Sequence, residues 1–325
     1  MKAVVIVPND GQTSFALRDL SPPVPGPNDL LVAVQAAGLN RANLIRNYPV
    51  RTSRTDGVMI AGSEIAGEVM AVGAEVSGFR AGDRVMGMVE GGFAEQALLD
   101  QRLAMRVPDG IAWAVAASIP IVYCTAHDAL VTNGALAPGE TVLVNAASSG
   151  IGIATIQIAK YKGAGLVVAV SGSADKLARL PAIGADFTVD YRLDNFADAV
   201  LGRTEKRGVD VIIDNVGASM LAENIKVAAL KARMVSVGRL GGNVDKLDLD
   251  ELARKRIKLI GVTFRTRNAE ERIAVVRRFA EDCLGAMSRQ AFLPIVDRVF
   301  PLDKVAEAMD YMRANAHFGK IALST

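Results

Sequence analysis

The chain is poor in the residues from which metal sites and disulfide frameworks are made. Cysteine occurs at Cys124 and Cys283 and histidine at His127 and His317, with no more of either among 325 residues. Two cysteines cannot build a disulfide scaffold, which suits a reducing, cytoplasmic setting. A catalytic zinc needs three protein ligands close together, and Cys and His cannot supply them here, so no metal is expected. An excess of either charge is lacking too: 37 Lys and Arg against 35 Asp and Glu leave a formal +2, with no basic block suited to nucleic acid. Apolar runs such as Leu166 to Val170 are far too short to cross a bilayer, so no membrane partner is expected. The opening MKAVVIVPNDG reads as strand and turn, and no signal peptide is expected. Half of the residues are apolar, which excludes an extended disordered chain, and the length suits two domains.

What is present centres on the stretch from Glu140 to Lys176. Thr141 to Val144 reads as a buried strand, too brief for a helix. Ala147-Ser148-Ser149-Gly150-Ile151-Gly152 follows, and its small residues let backbone approach a ligand. Ile153, Ile156, Gln157 and Lys160 then lie on a helical repeat, and Leu166 to Val170 is a second apolar strand. Strand, glycine turn, helix and strand make a right-handed βαβ unit whose helix N-terminus can hold a pyrophosphate. The G-x-G-x-x-G fingerprint is imperfect, because Ala147 and Ser149 stand at its first two glycine positions, and a plain βαβ turn would explain the motif alone. NAD-preferring sites place an Asp or Glu about 20 residues further on, for the ribose 2′-OH. Here that position is Ser171, followed by Gly172, Ser173 and Lys176. No carboxylate stands there to repel a 2′-phosphate. Lys176 either reaches that phosphate or is a solvated residue of the next helix, and NADPH is the expected cofactor.

Residues before about 120 form a β-rich, turn-rich region. Strands are expected at Ala3 to Val7, Leu30 to Val34, Ile65 to Val72, Arg84 to Met88 and Phe93 to Leu98, between Pro and Gly clusters. That pattern points to a compact barrel or roll. After the central βαβ unit, strands at Phe187 to Val189, Val209 to Asp214, Met234 to Val237 and Ile257 to Val262 alternate with helices at Asn195 to Leu201, Ala218 to Ala228 and Asp248 to Arg256. Alternation of this kind is the signature of a doubly wound parallel sheet. A helix from Ala269 to Leu284 with an apolar stripe, a strand from Pro294 to Phe300, a Met-bearing helix from Leu302 and a final strand from Lys320 to Leu323 complete the chain.

Several blocks resemble the medium-chain dehydrogenase/reductase superfamily, and within it the zinc-free quinone oxidoreductases. Gly62-Ser63-Glu64-Ile65-Ala66-Gly67-Glu68-Val69 with Val72-Gly73 is similar to G-x-E-x-A-G-x-V-x-x-V-G; Gly82-Asp83-Arg84-Val85, Gly91-Gly92-Phe93-Ala94-Glu95 and Phe318-Gly319-Lys320-Ile321-Ala322-Leu323 follow in the family's order. The resemblance implies an α/β chain: a GroES-like β-rich catalytic domain from residues 1–122 and 265–325, and a Rossmann doubly wound parallel sheet from 123–264. It departs from the zinc alcohol dehydrogenases of the superfamily, whose ligands would fall at Leu39 or Asn40, Ser63 and Ile121. Without a metal to lower the pKa of an alcohol, the chemistry suits acceptors that are already electrophilic, such as quinones or α,β-unsaturated carbonyls.

The resemblance also implies roles for single residues. Ser149, Gly150, Ile151 and Gly152 would meet the pyrophosphate; Ser171, Lys176 and Tyr191, with Arg192 near, the 2′-phosphate. Asn215, Gly238 and Phe264 follow successive strands at the edge facing the nicotinamide. Tyr191 could equally be a strand-end aromatic, and Gly238 a turn residue. Asn40 would bond nicotinamide or substrate, or else cap a helix. Thr125 would contact cofactor. Tyr48 could assist a proton in the manner of enoyl reductases, although the segment carrying it is shorter here. The expected activity is an NADPH-dependent, zinc-independent reductase of quinones or other conjugated carbonyls. The alternatives are an enoyl-thioester reductase and a non-catalytic NADPH-binding or scaffold protein, and a homodimer through Ile257 to Thr263 is implied.

Overall fold

A computed structural model describes residues 1–9, 12–44, 54–55, 57–193 and 195–325. Two compact units are present, Met1–Cys124 with Arg265–Thr325, and Thr125–Phe264.

The contiguous unit is built on six parallel strands: β1 (Thr141–Val144), β2 (Leu166–Ser171), β3 (Phe187–Asp190), β4 (Val209–Asp214), β5 (Ala228–Ser236) and β6 (Lys258–Gly261). Their order across the sheet is β3-β2-β1-β4-β5-β6, the Rossmann arrangement. Parallel sheets are covered on both faces, so their inner strands are apolar on both sides. Val142, Leu143, Val144, Val211, Ile212 and Ile213 accordingly have no exposed surface. The direction of winding reverses between β1 and β4, and ligands of such sheets bind beyond the carboxyl ends of the strands at that reversal.

The limits of β5 depart from the sequence pattern, as do those of the strand Gln96–Asp100, expected at Phe93 to Leu98. Ala228 to Arg233, expected as helix end and loop, belongs to β5, which pairs Val209 with Ala228 and, after a bulge, Val211 with Arg233. Lys231 takes a φ of 65° within that irregularity. Alanine favours helix locally, but pairing with β4 overrides the preference.

The other unit holds a seven-stranded sheet. Its order is Val296–Pro301, Lys320–Ser324, Asp29–Gly38, Glu64–Val72, Arg84–Met88 and Ala104–Arg106, with Gln96–Asp100 also on Asp29–Gly38. A hairpin of Lys2–Asn9 and Gln12–Asp19 joins it through bridges Ala3 to Ala94 and Val5 to Ile60. The core gathers Leu30, Val32, Ile65, Val85 and Phe93 with Met309 and Met312 of the helix Val305–Arg313. The stripe Ile273, Val276, Phe279 and Cys283 is buried, as its helical spacing requires. The helical stretch Trp113–Asn133 spans 21 residues, so one apolar segment among the described residues does reach membrane-crossing length; 72% of its most apolar 18-residue window is buried within the structure.

Candidate active site

The turn after β1 shows why small residues are needed there. Ala146 adopts a φ of 50° and the chain enters helix α1 (Gly150–Tyr161), whose N-cap is Ser149. The Ser149 hydroxyl accepts from the Gly152 N–H at 3.1 Å, satisfying one of the helix's first donors. Gly150 and Ile151 sit at the first two helical positions, whose N–H groups have no acceptor within the helix. A β-carbon on Gly152 would stand 2.5 Å from the carbonyl oxygens of Ala146 and Ala147. Helix and turn meet so closely that only glycine fits.

At the end of β2, Ser171 is 7% exposed and pairs in register with Asp190 of β3. The Tyr191 ring lies against Gly172, where a β-carbon would fall 2.8–2.9 Å from Cε1, Cζ and Oη. Half of Tyr191 remains exposed. Lys176 is on the short helix Ala174–Leu177 that follows, and is half-buried. The structure thus groups Ser171, Gly172 and Tyr191 in one corner. Arg192 turns back onto Asp190, with Nε and Nη2 each 3.3 Å from its carboxylate. Asp190 is a carboxylate that the sequence reading passed over. The hydrogen bond from the Arg192 side chain, with that residue's N–H, holds its carboxyl below the usual carboxylate range. Its adjacency to Ser171 depends on strand register, which no local signal announces.

The carboxyl ends of β1 and β4 carry a buried amide cluster. Asn215, 4% exposed, donates from Nδ2 to the Asn145 carbonyl at 2.9 Å, and its Oδ1 has no hydrogen-bond partner among the described residues. Asn145 donates to Asn224 Oδ1 at 2.9 Å and to Asp214 Oδ1 at 3.2 Å. Asp214 also accepts from the N–H groups of Val216 and Gly217. Burial pushes its carboxyl above the ordinary range despite those bonds. Gly238 packs against the Asn215 carbonyl oxygen, 2.4 Å from where a β-carbon would be, so its place is set by close approach. Phe264 follows β6 and is half-buried. The glycine turn, the open first turn of α1 and the orphaned Asn215 acceptor together fit a dinucleotide.

In the β-rich unit, Asn40 is 9% exposed and precedes the 3₁₀ turn Arg41–Leu44. Its side chain does not cap that turn. Nδ2 donates to Glu64 Oε1 at 2.8 Å, and Oδ1 accepts from Lys320 Nζ at 2.9 Å. Glu64 and Lys320 stood in the sequence only as members of family blocks; a lysine opening an apolar strand was the signal that could have drawn attention. Thr125 lies on the helix Pro120–His127 and is half-buried. Tyr48 lies outside the described residues. Among the described residues no three His, Cys, Asp or Glu side chains gather to hold a metal ion.

A reversal-point sheet with a glycine turn after its first strand defines a dinucleotide-binding domain. Two family models match, an alcohol dehydrogenase GroES-like domain over residues 26–109 and a zinc-binding dehydrogenase over 150–281. The chain belongs to the medium-chain dehydrogenase/reductase superfamily. It is 30% identical to mouse quinone oxidoreductase-like protein 2, covering 95% of this chain and 89% of that protein. It is also 32% identical to erythronolide synthase EryA2 of Saccharopolyspora erythraea, over 98% of this chain and 9% of that much longer protein. The structure of mycobacterial Rv1454c complexed with NADPH superposes with a TM-score of 0.88 at 26% identity, covering 100% of both chains. The residues here do not fit the zinc of the second model's name. Asn40 offers an amide engaged at both ends, and Ile121 offers an apolar side chain.

Proposed function

We propose that this chain is an NADPH-dependent reductase that reduces quinones or other α,β-unsaturated carbonyls without zinc. The observation that carries the reading is the corner at the end of β2, where Ser171 and Gly172 replace a ribose-binding acid and Tyr191 packs on the glycine. NADPH, when bound, supplies hydride from its nicotinamide. Lys176 and Tyr191 hold the 2′-phosphate, and Ser149, Gly150, Ile151 and Gly152 receive the pyrophosphate at the start of α1. Asn215 presents its unpartnered Oδ1 to the nicotinamide, with Gly238 and Phe264 lining the same edge and Thr125 contacting the cofactor. In the β-rich unit, Asn40 bonds the acceptor. NADPH complexed with the mycobacterial relative and the quinone oxidoreductase name of the mouse relative both support this reading.

Similarity to a polyketide synthase supports a second reading, reduction of an enoyl thioester, in which Tyr48 would assist the proton. A homodimer through β6, whose Leu259 is 44% exposed, belongs to the same proposal, as does a reducing cytoplasmic setting for the buried Cys124 and Cys283. Sedimentation of the purified chain at half the dimer mass would remove the dimer.

The test is NADPH consumption, followed by its near-ultraviolet absorbance, with an ortho-quinone, a para-quinone, a small enal and an enoyl thioester. Each is repeated with NADH and with EDTA. EDTA-insensitive, NADPH-preferring turnover is expected, and the fastest acceptor selects the subclass. NADPH binding with no turnover of any acceptor would instead favour a binding protein.

A further inference from the structure

One ion pair in the β-rich unit is almost wholly enclosed. Lys320 is 3% exposed and Glu64 0%. The Lys320 ammonium donates to three oxygens, the Leu39 carbonyl at 2.6 Å, Asn40 Oδ1 at 2.9 Å and Glu64 Oε1 at 2.7 Å. The other carboxylate oxygen of Glu64 accepts from the Ile121 N–H at 2.7 Å. All three ammonium hydrogens are therefore used inside the cluster.

The two charges decide how the Asn40 amide stands. An ammonium can only donate and a carboxylate can only accept. Oδ1 must face Lys320 and Nδ2 must face Glu64, which removes the ambiguity an amide ordinarily has. A flipped amide would set N–H against ammonium and oxygen against carboxylate. The backbone is pinned as well: the Asn40 N–H donates to Asn43 Oδ1 at 2.8 Å, and the Asn43 N–H to the Asn40 carbonyl at 2.8 Å. With one Nδ2 hydrogen on Glu64, one N–H is left to give. As a mere cross-link the ion pair would be a poor choice, because well-packed apolar residues stabilise such a position as well or better. Fixing one orientation of a neighbouring amide is something apolar residues cannot do.

We propose that Lys320 and Glu64 are positioning residues that hold the Asn40 amide so that its remaining N–H donates to the carbonyl oxygen of the acceptor. The proposal rests on the reductase reading above. As hydride forms a C–H bond at the conjugated carbon and the dihydronicotinamide C–H bond breaks, the π pair moves onto the carbonyl oxygen. That oxygen becomes an enolate-type anion, and a proton from water then neutralises it. A donor held in place before the charge develops lowers the barrier without reorganising.

The test compares wild type, Asn40→Ala, the double variant Glu64→Gln/Lys320→Met, and the triple variant. The readouts are kcat and KM for an enal, NADPH affinity by fluorescence titration, and exchange of the Asn40 side-chain N–H in ¹⁵N-asparagine-labelled protein. Asn40→Ala should lower kcat by about 100-fold with NADPH affinity unchanged. The double variant should show a similar loss and fast exchange at the Asn40 amide, and adding Asn40→Ala to it should cost less than about twofold further. An equal factor in both backgrounds, or no effect of Asn40→Ala in wild type, would overturn the proposal. If the double variant does not melt cooperatively, Asn40→Asp decides. It keeps an oxygen for Lys320 but has no N–H, so full activity would be equally fatal. Wild-type inactivity with every acceptor would remove the reductase reading and this proposal together, whereas an active enzyme indifferent to Asn40 removes this proposal alone.

Discussion

Tyr191 rests its ring on Gly172, so close that a β-carbon there would be 2.8 Å from Cε1 and 2.9 Å from the hydroxyl oxygen. The atoms that would be struck belong to a half-exposed side chain free to swing outward. Gly172→Ala should therefore leave the fold intact and move the tyrosine. NADPH affinity should fall by about tenfold, the scale of one charge-assisted hydrogen bond, while NADH affinity stays within about twofold. Fluorescence titration with both cofactors, beside a thermal melt, checks it.

Lys176→Ala should act in the same corner by a different route, removing a cation instead of displacing a ring. Weakening of NADPH by about tenfold or more is expected, with NADH little affected. Equal losses for both cofactors would sink the assigned role.

Gly152 offers no such give, since the atoms a β-carbon would meet are backbone carbonyl oxygens at 2.5 Å. Gly152→Ala should cost about 1–3 kcal/mol of stability through overpacking and also impair dinucleotide binding. In the unliganded protein, Ser149→Ala removes the cap of α1, for about 1 kcal/mol of stability. Urea unfolding of both variants would rank them, and Ser149→Ala proving the more damaging would contradict the packing argument.

Two carboxylates, the half-buried Glu140 and the buried Asp214, should give opposite responses to pH. Burial alone would raise the Glu140 carboxyl, but the Arg233 hydrogen bond, the Ala137 N–H and the guanidinium charge outweigh it and hold it low. Its stabilisation is present above the ordinary carboxylate range and is lost as pH falls through the lowered folded value. Glu140→Gln should be less stable than wild type near neutrality, with the difference closing in acid. Asp214, raised chiefly by burial, has the reverse sign: its stabilisation is complete below the ordinary range and declines as pH rises through the raised value. Asp214→Asn should erase that decline. Urea unfolding of each variant and wild type across acid and neutral pH reads both differences.

Where the sequence pattern was local, it was enough. Thr141–Val144, Arg84–Met88 and Val209–Asp214 have the limits that their apolar runs suggest, because a short valine-rich run between turns leaves few alternatives. The helix into β5 was misread because alanines are ambiguous until a neighbouring strand claims them. The second strand of the opening hairpin, Gln12–Asp19, has a mixed composition that pairing alone decides. Glycines with positions fixed by contact were visible as glycines, but not the partners that fix them. The Asn40, Glu64 and Lys320 cluster was the least legible. Its members come from three strand ends, two of them more than 250 residues apart in the chain, and nothing short of the sheet order brings them together.

The strand Lys320–Ser324 sits inside its sheet, flanked by Asp29–Gly38 and Val296–Pro301. During synthesis, most of that sheet emerges from the ribosome long before the piece that completes it. Thr125–Phe264, being contiguous, can fold as a unit while its companion still waits. A chain without Lys320–Ser324 would have no strand to seat between Asp29–Gly38 and Val296–Pro301, and Glu64 would be enclosed without the cation that answers it.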